Sequence, residues 1–330
     1  MKGRGTLESV RTESLTFNEI LNYNKEIGQH SVAVMLGHES YRYIYKTLYA
    51  RKTGFELGTS ADLALGTILD KGNSKTDEYA VEGWFGQLNY NYADRYYLSG
   101  SYRRDGSSRF YKDSRWGNFW SVGASWRINQ EKFMQNIGWT DNLKLKISYG
   151  VQGNDNIDDY YGWQNFFKSV PNYEMAGAYH SKLENLSLQW EKNSNLNLGL
   201  EFGFFNRVRG EFDYFIRKGD DMLFDVPIPQ STGLSSKTQN AASMENKGIE
   251  LQVSVDIFKE TAFKWTLDLN LTHYKNKITK LTQDEVWKGT KKWVEGGSIY
   301  DFYLLKSAGV DPDNGDELYW YCLLYTSDAA

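Results

Sequence analysis

Cysteine is almost missing from this chain of 330 residues: one copy, Cys322, leaves no disulfide framework to read. Proline occurs only four times, far below its average share of about 5%. Scarce proline removes the commonest obstacle to long paired strands. No stretch approaches the roughly 18 consecutive apolar residues of a membrane-spanning helix, and the first residues, MKGRGTLESVRTESL, contain no apolar leader segment. Basic residues are not in surplus: 38 Lys and Arg face 42 Asp and Glu, a net charge of −4. That balance argues against a nucleic-acid partner, whose phosphates call for a positive surface.

Catalytic and metal-binding patterns are also absent. The four histidines, His30, His38, His180 and His273, are scattered, with no His-Glu-x-x-His helix, nucleophile elbow or Walker loop. The segment Asp311-Pro-Asp-Asn-Gly-Asp316 has the acidity of a calcium loop, but its glycine is one position early and no Glu closes it. It reads as a tight acidic turn. The expectation is a protein that is not an enzyme and carries no cofactor or metal.

Aromatic residues, by contrast, reach 16%, with 24 Tyr, 17 Phe and 11 Trp, and there are 30 Gly. They fall into runs of strict two-residue alternation. At 143–151, Leu143, Leu145, Ile147, Tyr149 and Val151 share one face, opposed by Lys144, Lys146 and Ser148. At 196–204, Leu196, Leu198, Leu200, Phe202 and Phe204 oppose Asn197, Gly199, Glu201 and Gly203. The same pattern fills 249–257 and 263–272. Because successive strand side chains point to opposite faces, each run is a ribbon with one oily and one wet side. A soluble sandwich could use such ribbons, but its strands average about 5–6 residues. Amphipathic runs of 10 or more suit strands crossing a bilayer at a tilt.

Ten strands are predicted, at 13–25, 30–51, 79–92, 95–104, 116–128, 143–153, 188–204, 209–218, 247–258 and 263–278. Short turns near Gly28, Asp94, Asn206 and Glu260 alternate with long loops at 52–78, 105–115, 154–187, 219–246 and 279–299. The 129–142 link has room for a helical turn through Phe133, Met134 and Ile137. Short turns at one end and long loops at the other are the layout of an outer-membrane barrel. Aromatics near the run ends (Trp84 and Phe85, Tyr96 and Tyr97, Trp116 and Trp120, Phe204 and Phe205, Tyr214 and Phe215) are expected to form interfacial girdles. The fold class is therefore all-β, an antiparallel transmembrane barrel. In the loops, Tyr160, Tyr161, Trp163, Trp287 and Trp293 are the candidate substrate-binding residues, since exposed rings beside carboxylates stack on sugars or grip peptides. Packing of loop upon loop explains the same rings equally well.

Several stretches go further. The segment 79–97, YAVEGWFGQLNYNYADRYY, runs into Arg103-Arg-Asp-Gly-Ser-Ser-Arg-Phe110, then Arg115-Trp-Gly-Asn-Phe-Trp120, then Leu143-Lys-Leu-Lys-Ile-Ser-Tyr-Gly-Val-Gln-Gly-Asn154 and Ala308-Gly-Val-Asp-Pro-Asp-Asn-Gly-Asp316. In this order they closely resemble the barrel of SusC/RagA-type TonB-dependent outer-membrane transporters. The resemblance implies a barrel of 22 strands closed by an N-terminal plug. It also implies a SusD-like surface lipoprotein at the mouth, a TonB complex supplying energy, and import of oligosaccharides or peptides across the outer membrane of a Gram-negative bacterium. On this reading residues 1–321 are a partial barrel of about ten strands, lacking leader, plug and terminal strands. The stretch 322–330, Cys-Leu-Leu-Tyr-Thr-Ser-Asp-Ala-Ala, resembles translated sequencing adapter and is set aside as an artefact. The alternatives are a passive porin, which has the same strands without a plug, and a secreted soluble β protein that binds glycans. Outer-membrane lipid is an expected partner; nucleic acid is not.

Overall fold

The computed structural model describes residues 3–56, 60, 62–173, 175–259 and 262–320; the adapter-like stretch lies outside the described residues. The strands in chain order are β1 (Gly3–Ile27), β2 (His30–Phe55), β3 (Ile68–Tyr92), β4 (Tyr96–Ser107), β5 (Trp116–Arg127), β6 (Thr140–Asn154), β7 (Phe166–Asn172), β8 (Met175–Lys182), β9 (Glu191–Phe204), β10 (Val208–Pro227), β11 (Ser236–Phe258), β12 (Trp265–Leu281), β13 (Val286–Lys288), β14 (Lys291–Trp293), β15 (Ser307–Val310) and β16 (Glu317–Tyr319). Ten of them form one antiparallel meander in the order β1-β2-β3-β4-β5-β6-β9-β10-β11-β12. The pairs β7–β8, β13–β14 and β15–β16 are small separate hairpins.

The register turns ten two-faced ribbons into one two-faced wall. Tyr92, Tyr96, Trp126, Leu145, Leu200, Phe212, Leu251 and Leu271 lie directly opposite one another from β3 to β12. Another rung of the ladder reads Gln87, Ser101, Ser121, Gly150, Asn195, Arg217, Asn246 and Asn276. A one-residue slip in any pair would swap the faces, so the alternation itself fixes the register. The apolar face stays uncovered: Leu98, Leu269 and Leu271 are each more than half exposed. Soluble monomers seldom leave a contiguous apolar patch beyond a few hundred Å², so this wall is made for a lipid surround.

Aromatic rings mark the limits of that surround. At the short-turn end, Tyr92, Tyr96 and Trp126 stack at 6.3 and 6.4 Å, and Trp139 packs 5.4 Å from Phe204. Towards the long loops, Trp120 lies 5.5 Å from Tyr149, and Trp84 and Trp116 share their face. Trp116 and Trp126 stand ten residues apart on one face of β5, which is about 34 Å along the strand. At a tilt of about 40° that becomes roughly 26 Å, close to the height of an outer-membrane apolar band. Four of the expected girdle residues do not join it. Tyr214 sits in mid-band beside Leu198 and Ile249, and Phe85, Tyr97 and Phe215 are on the other face, where Phe215 is 3% exposed.

All ten expected strands are present, but several run further than their hydrophobic pattern. β2 and β3 stay paired as far as Thr53 and Ile68, inside the expected 52–78 loop, and β10 and β11 stay paired to Pro227 and Ser236, inside 219–246. Beyond the band both faces meet water, so pairing continues without any need for alternation. The 154–187 and 279–299 loops contain the β7–β8 and β13–β14 hairpins. The 129–142 link holds a 3-10 turn at Ile128–Gln130 followed by turns through Met134 and Ile137 in place of a longer helix. The short hairpins are tight: Ala93 and Asp94, and Phe205 and Asn206, all take positive φ near 50–56°, which matches the right-handed twist of the flanking strands. Residues 311–316 form the expected acidic turn, closed by Asp311 N–H to the Asp316 carbonyl at 2.8 Å.

Candidate functional site: the loop-side mouth

The stretch from Arg103 to Phe110 carries β4 out of the band and into the long-loop end. Arg103 points to the polar face, its Nε 2.6 and 2.8 Å from the two Asp105 oxygens and its Nη2 3.4 Å from Glu39. Arg104 points the opposite way, over the Trp116 ring at 5.4 Å. Ser107 is fully buried and donates to Asp155 Oδ2 at 2.6 Å. Ser108 exchanges hydrogen bonds with the Ala80 backbone, one through its Oγ and one through its N–H. Arg109 donates to the Asp155 carbonyl at 2.8 Å and to Asn156 Oδ1 at 3.3 Å, and its guanidinium lies over Tyr79 at 4.5 Å. Phe110 is fully buried with Leu188, Ile157, Phe119 and Trp190. One strand end therefore fastens the whole 154–190 loop with alternating polar and apolar contacts.

Asp155 is the polar centre of this anchor. It accepts from Tyr79 Oη at 2.7 Å as well as from Ser107. Burial and the bond to Asp155 push the Tyr79 phenol well above its ordinary range, so Tyr79 remains a neutral donor. Tyr160 closes the stack over Arg109, with ring centroids 6.0 Å from Tyr43 and 6.1 Å from Tyr79, and burial raises its phenol too. Tyr161 Oη accepts the Glu78 N–H at 2.9 Å, while Lys182 pairs with Asp159 and donates to the Tyr161 carbonyl. Trp163 donates its indole N–H to the Ser108 carbonyl at 3.3 Å and lies 5.3 Å from Tyr111.

The expected site residues thus separate into two groups. Tyr160, Tyr161 and Trp163 come together, each half-buried and committed to a strand or loop partner. Trp287 and Trp293 belong to the β13–β14 hairpin. Trp293 donates to the Ile299 carbonyl at 3.2 Å and packs beside the buried Ala242, Ile278, Leu281 and Val286. Trp287 is 53% exposed, T-shaped against Tyr303 at 5.0 Å, with Lys292 over its ring. A further aromatic row was readable but not singled out. Tyr41, Tyr43, Tyr45 and Tyr49 of β2 occur at even spacings on the face that Tyr79 shares, and among the described residues Tyr41 and Tyr43 meet ring partners there.

Below the mouth the polar face is rich in hydrogen-bonding groups. A groove of about 570 Å³ includes Arg103, Gln152, Asn195, Asn197 and Arg217 in its lining. Lys146 pairs with Glu201 at 2.9 Å and with Glu211, and Arg217 with Glu250 at 3.7 Å. Among the described residues no cluster of His, Cys, Asp and Glu could hold a metal ion.

Comparison with known proteins agrees with this wall. A family described as TonB dependent receptor-like, beta-barrel matches residues 4–304. The TonB-dependent receptor SusC of Bacteroides thetaiotaomicron is 33% identical over 304 residues, covering 88% of this chain and 28% of SusC. A TonB-dependent receptor of Formosa agariphila is 30% identical over 303 residues, with the same coverages. Among solved structures, the RagAB peptide transporter superposes with a TM-score of 0.87 at 31% identity over 95% of this chain and 36% of that one. The chain therefore spans only about three tenths of the curated relatives it matches. All of them are receptors or transporters by name, none an enzyme.

Proposed function

Because this chain belongs to the TonB-dependent receptor-like β-barrel family, of SusC/RagA type, we propose that it forms part of the wall of an active importer in the outer membrane of a Gram-negative bacterium. The observation that carries the reading is the in-register two-faced sheet, apolar towards lipid and polar towards a lumen. The complete protein would take up oligosaccharides or peptides, drawing energy through TonB, with a SusD-like lipoprotein over the mouth. Sequence likeness to SusC and structural likeness to the RagAB peptide transporter support that class without choosing between the two substrates.

Within the mouth we assign the aromatics unequal roles. Tyr160, Tyr161 and Trp163 hold the 154–190 loop in place and present only their outer edges to solute. Trp287 is the more exposed ring and is the better stacking surface, with Lys292 beside it. Tyr45 and Tyr49 extend the contact row up the β2 strand. The test is uptake of a labelled oligosaccharide and a labelled peptide by cells carrying the full-length protein, with and without TonB. Uptake of one of them that stops when TonB is removed, and weakens in Trp287→Ala, supports the reading. Uptake indifferent to TonB would point to a passive porin.

A further inference from the structure

The lipid-facing side of the wall is not uniform. Near its loop-side edge lies a groove of about 960 Å³. Leu36, Leu88, Tyr102, Trp120 and Val122 project along it, and Gly86 and Gly100, on facing strands, form its floor. An added Cβ at Gly100 would meet only the Ser121 carbonyl oxygen, at 4.0 Å. Steric crowding of the backbone therefore does not account for that glycine; the missing side chain leaves a trough.

A polar rim carrying one guanidinium borders the trough on its loop side. Arg104 and Asn118 face each other across β4 and β5. Arg104 makes no hydrogen bond or ion pair among the described residues; its guanidinium lies over the Trp116 ring at 5.4 Å. Asn118 accepts from Tyr102 Oη at 2.8 Å through its Oδ1, which leaves its Nδ2 free to donate. On the far side of Trp84, His38 lies 3.4 Å from Glu82 and 3.6 Å from Glu19 and stacks at 4.2 Å on that ring. Arg104 is eight residues beyond Tyr96 on β4, about 27 Å along the strand and roughly 21 Å along the normal at a 40° tilt. That sets its Cα level with Trp84 and two residues below the Trp116 rung of the loop-side girdle, a depth from which a long Arg side chain reaches up to the headgroups.

We propose that this face holds one phosphorylated lipid of the outer leaflet, with an acyl chain in the Gly86–Gly100 trough and the phosphate on Arg104 and Asn118. The Arg104 guanidinium, without a carboxylate partner among the described residues, argues for an anionic headgroup, and the position between the aromatic girdles argues for an acyl chain over a protein segment. The inference rests on the membrane reading above. Its test separates the two: full-length protein is first mixed with phospholipid vesicles and floated on a density gradient, then examined by native mass spectrometry with monophosphorylated lipid A and with the same lipid stripped of phosphate.

Arg104→Ala should weaken the phosphorylated adduct about tenfold, as loss of one charge-assisted contact would, and leave the dephosphorylated one unchanged. Arg104→Lys should restore most of the difference. Gly100→Leu, which fills the trough, should weaken both adducts alike. Equal adducts in wild type and all three variants would overturn the lipid site while leaving the importer reading intact. Protein that does not float with the vesicles would overturn the membrane reading itself.

Discussion

Removing the Asp155 carboxylate should release the 154–190 loop without disturbing the wall beneath it. In Asp155→Ala the Tyr79 hydroxyl and the fully buried Ser107 hydroxyl both lose their acceptor, and Arg109 loses a carboxylate 3.9 Å away. Hydrogen bonds to a charged group contribute about 1.5–3 kcal/mol each. The Asp155 and Arg109 side chains are only 16% and 12% exposed, so solvent screens the pair little. Taking the low end for both hydroxyls gives about 3 kcal/mol against the closed loop. The open population should then rise by roughly 100-fold, since about 1.4 kcal/mol corresponds to tenfold. Hydrogen exchange on the full-length protein in detergent reads this directly: amides at 156–165 should lose protection by about that factor. Those of Ile147 and Leu198 in the wall should be unchanged. Ser107→Ala should cost less, because Tyr79 still bonds Asp155, and the double variant should fall short of additivity. Protection at 156–165 that changes less than tenfold would refute the anchor, as would an equal loss across the wall.

Three further outcomes follow from the same geometry. Leu188 is fully buried against Phe110 and Trp190, so Leu188→Ala should loosen 185–190 by about 3 kcal/mol, read by the same exchange experiment, whereas Leu188→Met should cost under about 1.5 kcal/mol. Ala93 holds φ of 54° in a tight turn, a conformation costing an L-residue about 1–2 kcal/mol; Ala93→Gly should raise the heat-modifiable gel-shift temperature, and a fall would refute strain there. Tyr96 Oη, and then the Trp126 indole N–H, donate to Glu131 and hold its carboxyl below the usual range. A depressed folded-state value means the contribution is present above the ordinary carboxylate range and disappears as pH falls through the lower folded value. Trp126 fluorescence in wild type should therefore change on acidification, and in Glu131→Gln that change should be absent.

The wall was legible because each strand inside the band meets two solvents. Lipid on one side and water on the other impose alternation on runs such as 143–151 and 196–204, and the observed register pairs those runs face to face. Where water bathes both sides, as at Gly72, Asn73 and Ser74, alternation disappears although β2 and β3 remain hydrogen-bonded. β7 and β8 escaped notice for the same reason: stretches such as Ser-Val-Pro-Asn and Met-Ala-Gly-Ala have no oily face. In the mouth, the rings of Tyr160, Tyr161 and Trp163 were conspicuous but their partners were not. Arg109 and Asp155 meet across 46 residues of chain, and no local spacing announces such a pair. The Arg103–Phe110 stretch marked the family, yet its task of fastening a loop emerges only when each side chain is followed to its contact.

Three phenylalanine rings on the wet side look at first like exceptions to the two-faced wall, and glycine explains them. Phe85, Phe119 and Phe215 all project towards the lumen, yet each lies down across a glycine of the same or a neighbouring strand. An added Cβ would come within 2.3 Å of Phe85 at Gly37, within 2.3 and 2.1 Å of Phe119 at Gly117 and Gly153, and within 2.7 Å of Phe215 at Gly248. Glycine inside a strand ordinarily costs about 0.5–1 kcal/mol relative to alanine, and a bare phenyl ring facing water would cost more than that. Together they offset each other: the ring covers the exposed glycine backbone, and the glycine gives the ring room to leave the lumen, so Phe119 and Phe215 end 7% and 3% exposed. The rest of that face is rich in Asn, Ser, Gln and paired charges, as a surface in contact with water should be. The same residue type has opposite uses on the two faces: against lipid, Gly100 leaves a trough open, whereas on the polar side Gly37, Gly117 and Gly248 let neighbouring rings lie flat.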